Sequence, residues 1–367
     1  MITNSHQGAI FIGSEIYGKV AYGKNHPLSI PRVGAVTDLC RQMGWFNAEN
    51  YVDSPTASPK DLGRYHSRAY IDAVRKVDKA GKSGAKTREI YGLGTIENPV
   101  FSGMFERGAM TCGGSIYAAE WVLGGGCAYN PAGGTHHGRP NRASGFCYFN
   151  DPVLAILRLL DMGVPRVFYL DLDAHHGDGV EAAFINDPRV ATVSIHEKSR
   201  WPYSGVESNS SDNIWNFPVP GGFHASELNF LIDEIVLPLA EKFAPDAVVV
   251  TCGADGLAGD PLSKMELTNT ALWSAVSAIG DIAPRTIVLG GGGYNPWTVI
   301  RCWAGLWASL ANYDVYDSMT SSALNILHSL DSDLVDEEDI NPNWLNSIAD
   351  ETEDLPIRTE IKDLALM

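Results

Sequence analysis

No two cysteines in this chain stand close enough in sequence to form a metal knuckle. The six, Cys40, Cys112, Cys127, Cys147, Cys252 and Cys302, are scattered without a Cys-x-x-Cys unit, which excludes a zinc ribbon or a disulfide framework and points to a reducing compartment. Apolar runs long enough to span a membrane are also missing. The opening residues, Met1-Ile-Thr-Asn-Ser-His-Gln7, hold no basic stretch leading into an apolar one, so the expectation is a cytoplasmic protein with no membrane partner. Positive charge is scarce. Against 44 Asp and Glu stand 27 Lys and Arg, a net −17, and this balance argues against a protein that grips nucleic acid through its phosphates. Ten of the acids lie between Asp331 and Asp354, where no Lys or Arg occurs, so much of the charge belongs to the C-terminal region. A Ser/Pro linker and internal repeats are absent too, which favours one large domain over two.

What is present is an alternation of strand-like and helix-like runs. Arg166–Leu170, Val190–Ile195, Ala247–Thr251 and Thr286–Leu289 are short and apolar on both faces, as expected of parallel strands covered by helices on either side. Between them, residues 151–162, 225–243 and 267–279 repeat apolar residues at helical spacing, with Asn150 and the His224–Ser226 stretch as expected caps. The predicted fold class is α/β with a central, mainly parallel sheet. Residues 1–311 are expected to form the catalytic domain and 312–367 an acidic helix-and-loop extension.

The ends of those strands carry the chemistry. Asp171-Leu-Asp173-Ala-His175-His-Gly-Asp178 follows the first, His196 the second, Cys252-Gly-Ala-Asp255-Gly-Leu-Ala-Gly-Asp260 the third, and four glycines ending in Tyr294 the fourth. In open parallel sheets ligands bind at the carboxyl ends of strands. Asp173, His175 and Asp260 are assigned as metal ligands, two carboxylates and an imidazole that suit Zn²⁺ and tolerate Fe²⁺ or Co²⁺, with one coordination position left open. His136 and His137, in a glycine-rich loop, are the expected acid/base pair. Asp171 and Asp178 exceed what the metal needs and are expected to orient those imidazoles, one behind each. Tyr294 is expected to donate a hydrogen bond to a developing oxyanion. The glycines before it lack the Gly-x-Gly-x-x-Gly spacing of a nucleotide site.

Together the blocks Gly133-Gly-Thr-His-His137, Ser144–Asp151, Asp171–Val180, Val193–His196, Gly253-Ala-Asp255, Gly259-Asp260 and Gly290–Tyr294 resemble the zinc-dependent histone deacetylase family, especially its class I branch and the bacterial acetoin-utilisation proteins. The resemblance runs from about His26 to Trp303. It implies an arginase/deacetylase-like three-layer α/β/α fold and hydrolysis of an N-acetyl-lysine amide to amine and acetate. It implies Phe146 and Trp201 as walls of an acyl-lysine tunnel with Gly145 and Leu267 beside them, Glu97 at the rim, and a structural K⁺ near Asp171, Asp173, His175, Ser194 and Ile195. Small acetylated amines such as acetylpolyamines are the alternative substrate. Two-metal ureohydrolase chemistry and a catalytically silent binding module are the rival readings.

Overall fold

In a computed structural model of the chain, the residues described are 8–365 apart from 21, 24, 25, 208, 211, 212 and 317. The opening segment Met1–Gln7, on which the expectation of a leaderless N-terminus rests, lies outside them. Nine strands form one sheet among the described residues: β1 (Ala9–Gly13), β2 (Tyr51–Asp53), β3 (Gly126–Asn130), β4 (Val167–Asp171), β5 (Val190–Glu197), β6 (Asn209–Ser210), β7 (Ile214–Val219), β8 (Ala247–Thr251) and β9 (Arg285–Leu289). Their order is β2-β1-β3-β9-β8-β4-β5-β7-β6. Every pairing is parallel except that of the two-residue β6 with β7.

Alternation along the central strands explains the three layers. Phe168 and Leu170 of β4 and Val248 and Val250 of β8 point into one core, shared with residues such as Val36, Leu228, Leu272 and Trp303. Val167, Tyr169 and Val249 point into the other, with Ala118, Val153 and Ile156. Side chains in a strand alternate faces, so a sheet buried on both sides needs apolar residues at every position. The helices Val33–Gln42, Asn269–Gly280 and Pro296–Leu310 cover the first face, and Met104–Trp121 and Asp151–Asp161 the second.

The predicted 225–243 helix is continuous but not uniform. It runs as Ala225–Leu231, a π segment Ile232–Val236, then Leu237–Phe243. Pro238 stands two residues past the π segment, so the carbonyl four residues before it, that of Glu234, lies within the π segment. A proline ring collides with the carbonyl of an ordinary helical turn, and a wider turn makes room for it. Asn150 caps its helix as expected, accepting from Val153 N–H at 3.0 Å, whereas His224 makes no capping bond with its side chain. Thr268 caps the helix that follows it.

The C-terminal segment packs on the domain. Arg301, fully buried, donates to Ser347 O at 2.6 Å and pairs with Asp350 at 2.6 Å, and Arg358 forks onto Glu227. No helix among the described residues is long and apolar enough to cross a membrane.

Candidate active site

Register brings the strand ends level. Asp171 of β4 pairs with Thr251 of β8 and with Ser194 of β5, Thr251 with Leu289 of β9, and Leu289 with Asn130 of β3. Because these strands are parallel, the five loops that follow them leave the sheet along one edge. Residues more than 150 positions apart meet there.

His136 and His137 have ring centroids 3.9 Å apart. Asp171 lies behind the first, its Oδ2 2.7 Å from Nδ1, and Asp178 behind the second at 2.8 Å. A carboxylate only accepts, so each Nδ1 carries the hydrogen and each Nε2 is left facing the site. The Tyr169 hydroxyl also donates to Asp171 at 2.6 Å, and the Arg139 guanidinium braces Asp178. The two imidazoles differ electrically. Burial works against a charge on His136, but Asp171 and Asp173 outweigh it and lift its pKa to about 9. Burial and then repulsion from His136 push His137 down to about 3, which leaves it a neutral imidazole able to accept a proton.

Asp173 and His175, the first two expected ligands, lie together, His175 Nδ1 being 3.2 Å from Asp173 Oδ1. The carboxylate that joins them most closely is Asp255, 2.9 Å from the same nitrogen. Donor atoms of Asp173, His175 and Asp255 all fall within 4.8 Å of one another. Asp260, the expected third ligand, is outside that tight group. Its carboxylate accepts N–H bonds from Tyr294 at 2.7 Å and Leu262 at 2.9 Å, and it is close enough for Asp255 and His175 to act on its charge. Sequence reasoning quoted Asp255 within its motif and gave it no role. Both acids sit on one glycine-rich loop, whose path the local sequence does not dictate.

These residues fit a divalent cation. Burial, then the charge of Asp255, pushes Asp260 up to about 8, and burial and Asp173 raise Asp255 as well. Three buried carboxylates share the positive charge of a few imidazoles, and a metal ion removes that deficit. Carboxylate oxygens with an imidazole nitrogen form a zinc-type donor set.

Two cavities meet at this point. An outer one of about 640 Å³ is lined by Glu97, Gly145, Phe146, His175, Trp201 and Leu262 among others. An inner one of about 380 Å³ reaches Tyr17 and Arg32. Both touch His137, Gly145, Phe146 and Tyr294. Trp201 stands edge-on to His137 at 4.6 Å and Phe146 edge-on to Tyr294 at 5.9 Å. Glu97 is at the mouth, one carboxylate oxygen accepting the N–H of Gly145. Leu267 does not line the mouth. It is 2% exposed, inside the core beside Gly256, and Leu262 takes that wall. Ser194 and Ile195 are buried next to Asp171, the Ser194 hydroxyl 2.9 Å from His196 Nδ1.

Tyr294 owes its position to a residue that sequence reasoning passed over. Arg32 donates to Gly291 O at 2.9 Å and Gly293 O at 3.1 Å and stacks over Trp303 at 4.8 Å, holding the glycine run that carries the phenol.

The histone deacetylase domain matches residues 26–310. The acetoin utilization protein AcuC of Bacillus subtilis (strain 168) is 36% identical over 321 residues, covering 83% of each chain. Human histone deacetylase 1 is 34% identical over 295 residues, covering 78% of this chain and 61% of that one. The crystal structure of a histone deacetylase homolog from Aquifex aeolicus superposes with a TM-score of 0.93 at 32% identity, covering 98% of this chain and 99% of the other. Another of a homolog complexed with SAHA gives 0.92 at 32% identity, with the same coverage. The chain therefore belongs to the histone deacetylase family, hydrolases of the deacetylase type with the arginase/deacetylase fold.

Proposed function

We propose that the protein hydrolyses the amide of an N-acetyl-lysine side chain in a protein or peptide, with Zn²⁺ held by Asp173, His175 and Asp260. The observation that carries this reading is the meeting of His137, backed by Asp178, with the Tyr294 phenol at the junction of the two cavities. Asp260 is taken as the third ligand because the family resemblance gives it that role and because it accepts the backbone N–H of Tyr294, the residue that must share the carbonyl with the metal; Asp255, fully buried between His175 Nδ1 and Ala174 N–H, is the alternative third ligand.

Bound there, the cation supplies Lewis acidity to the amide carbonyl and to the attacking water. His137 takes the water's proton at Nε2 and returns it to the nitrogen as the C–N bond breaks, so that an amine and acetate leave. Asp178 keeps its tautomer fixed through Nδ1. Tyr294 donates its hydroxyl hydrogen to the carbonyl oxygen as charge gathers on it. Phe146 and Trp201 enclose the methylene chain and exclude water, and Glu97 offers its second carboxylate oxygen to a substrate backbone N–H.

Lysine is favoured over a polyamine by the mouth itself. Lys198, Arg200 and Lys264 line it against two carboxylates, Glu97 and Glu197, the latter paired with Arg200, so a polycationic substrate finds no excess of negative charge there. The deciding experiment compares acetyl-lysine peptides, longer acyl-lysine peptides and acetylpolyamines on zinc-loaded enzyme. The acetyl-lysine peptide is expected to have the higher kcat/KM by about 10-fold or more. The reverse order would reject the substrate assignment, and no turnover of any amide would reject the enzymatic one.

A further inference from the structure

The histone deacetylase domain match stops at residue 310, yet the segment beyond it returns to the metal loop. Trp344 sits in the short 3₁₀ turn Pro342–Leu345 and is only 8% exposed. Its indole lies against Gly259, the residue immediately before Asp260. A Cβ placed on Gly259 would stand 2.6 Å from the indole Cη2 and 2.9 Å from Cζ2, so the ring meets the backbone directly. Gly259 has a φ of +85°, a conformation glycine adopts without strain. Ala258 and Gly259 form an exposed turn, which makes a rigid ring on one side of it consequential.

Both sides of that turn are held. Asn295 Nδ2 donates to Gly259 O at 2.9 Å, and Asn295 is the residue after Tyr294 and the cap of the Pro296–Leu310 helix. The indole in turn is anchored by residues 347–350, just beyond it in the chain. Arg301 from that same helix grips Ser347 and Asp350. Asn269 exchanges bonds with the segment as well, giving its side-chain amide to Ile348 O at 2.8 Å and accepting Asp350 N–H at 2.9 Å. One rigid unit thus fixes the indole, the turn and the tyrosine loop relative to one another.

We propose that Trp344 is a positioning residue for metal binding: by seating its indole on Gly259, the C-terminal segment holds the Asp260 carboxylate in place and so sets the affinity and geometry of the metal centre. The inference rests on the reading of Asp260 as a ligand. Groups that orient metal ligands without touching the ion typically govern affinity by about 10–100-fold.

The test uses the full chain and reads the metal rather than turnover. Zn²⁺ affinity is measured by competition with a chromophoric chelator, and geometry by the visible absorption of the Co²⁺-loaded protein. Trp344→Ala is expected to weaken Zn²⁺ by about 10-fold or more and to alter the Co²⁺ bands, with Trp344→Phe restoring most of both. Ile361→Ala, in a fully buried position of the same segment far along the chain from the turn, is expected to lower thermal stability and leave both metal readouts unchanged. Should Trp344→Ala not fold, Trp344→Leu carries the same expectation, since it keeps apolar packing but not the flat ring. Wild-type affinity and spectrum in the folded Ala or Leu variant would overturn the role of Trp344. Asp260→Asn separates the two ideas: wild-type affinity there removes the ligand reading itself, and weakened affinity there with an unaffected Trp344 variant removes only the positioning role.

Discussion

Removing a single oxygen atom tests the proposed chemistry most directly. Tyr294 is 6% exposed, and its backbone N–H is engaged by Asp260. Among the described residues no hydrogen bond to its hydroxyl is formed, while its ring packs edge-on to Phe146 with centroids 5.9 Å apart. Tyr294→Phe therefore keeps the ring contact and the loop bonds and leaves no partner unsatisfied. Folding stability is expected to stay within about 0.5 kcal/mol of the parent. A hydrogen bond made to the reacting oxygen acts mainly when charge has gathered on it, and loss of one such donor costs about 2.7–4 kcal/mol, or roughly 10²–10³ in kcat. Substrate binding before that point does not use the hydroxyl, so KM is expected to change by less than about 3-fold, and zinc content not at all. The assay is steady-state hydrolysis of an acetyl-lysine peptide, with metal analysis and thermal melting on the same samples. A fall in kcat of less than about 10-fold would refute the assignment. So would a loss expressed wholly in KM, which would make the phenol a binding group.

Two further outcomes follow from the geometry. At Gly145, φ is +54° and an added Cβ would lie 2.4 Å from both His137 Cδ2 and Trp201 Cη2, so Gly145→Ala is expected to cut kcat/KM by about 100-fold through displacement of the base and closure of the passage, and to cost about 1–2 kcal/mol of stability from the left-handed backbone; near-parental turnover would show that the tunnel does not pass there. His66 is 2% exposed, accepts Asn150 N–H at Nε2 and meets Arg139 O at Nδ1, both at 3.0 Å, and burial lowers its pKa to about 4 against about 6.5 in an unfolded chain. The unfolded state takes up the proton first as pH falls, so this site's contribution is intact above about pH 6.5 and is lost progressively towards pH 4, by about 3 kcal/mol in all. Urea unfolding from pH 7.5 to 5 is expected to show a shallower pH slope in His66→Gln than in the parent. Equal slopes would mean that His66 is not the group responsible.

How much of this was legible in the sequence depended on how local each determinant is. β4, β5, β8 and β9 could be found because burial on both faces demands unbroken apolar runs, and their residues supply them. β3 could not, since Gly126-Cys-Ala-Tyr-Asn130 has one large apolar side chain and becomes a strand only between β1 and β9. β2, at three residues, exists through its pairing with β1. The site follows the same rule. Asp171, Asp173, His175 and Asp178 lie within eight residues of a strand end, and that density marks them as candidate metal ligands and their partners.

Beyond that local cluster, the sequence stops being informative for a physical reason. Asp255 and Asp260 share a loop whose glycines permit many paths, and the path it takes depends on what packs against the loop from outside. Those groups are distant in the chain: Arg32 on the tyrosine loop, Asn295 on Gly259 O, and Trp344 on the Gly259 turn. None belongs to a motif with chemistry of its own. Arginine, asparagine and tryptophan at those positions resemble ordinary surface or core residues until the fold brings them to the same few ångströms. The candidate catalytic groups are thus encoded where they stand, while the contacts that hold their loops are encoded elsewhere, some of them in an acidic tail that composition alone would dismiss as solvated. On the proposed reading, substitutions that spare every reacting group would still alter cation affinity before any loss of fold.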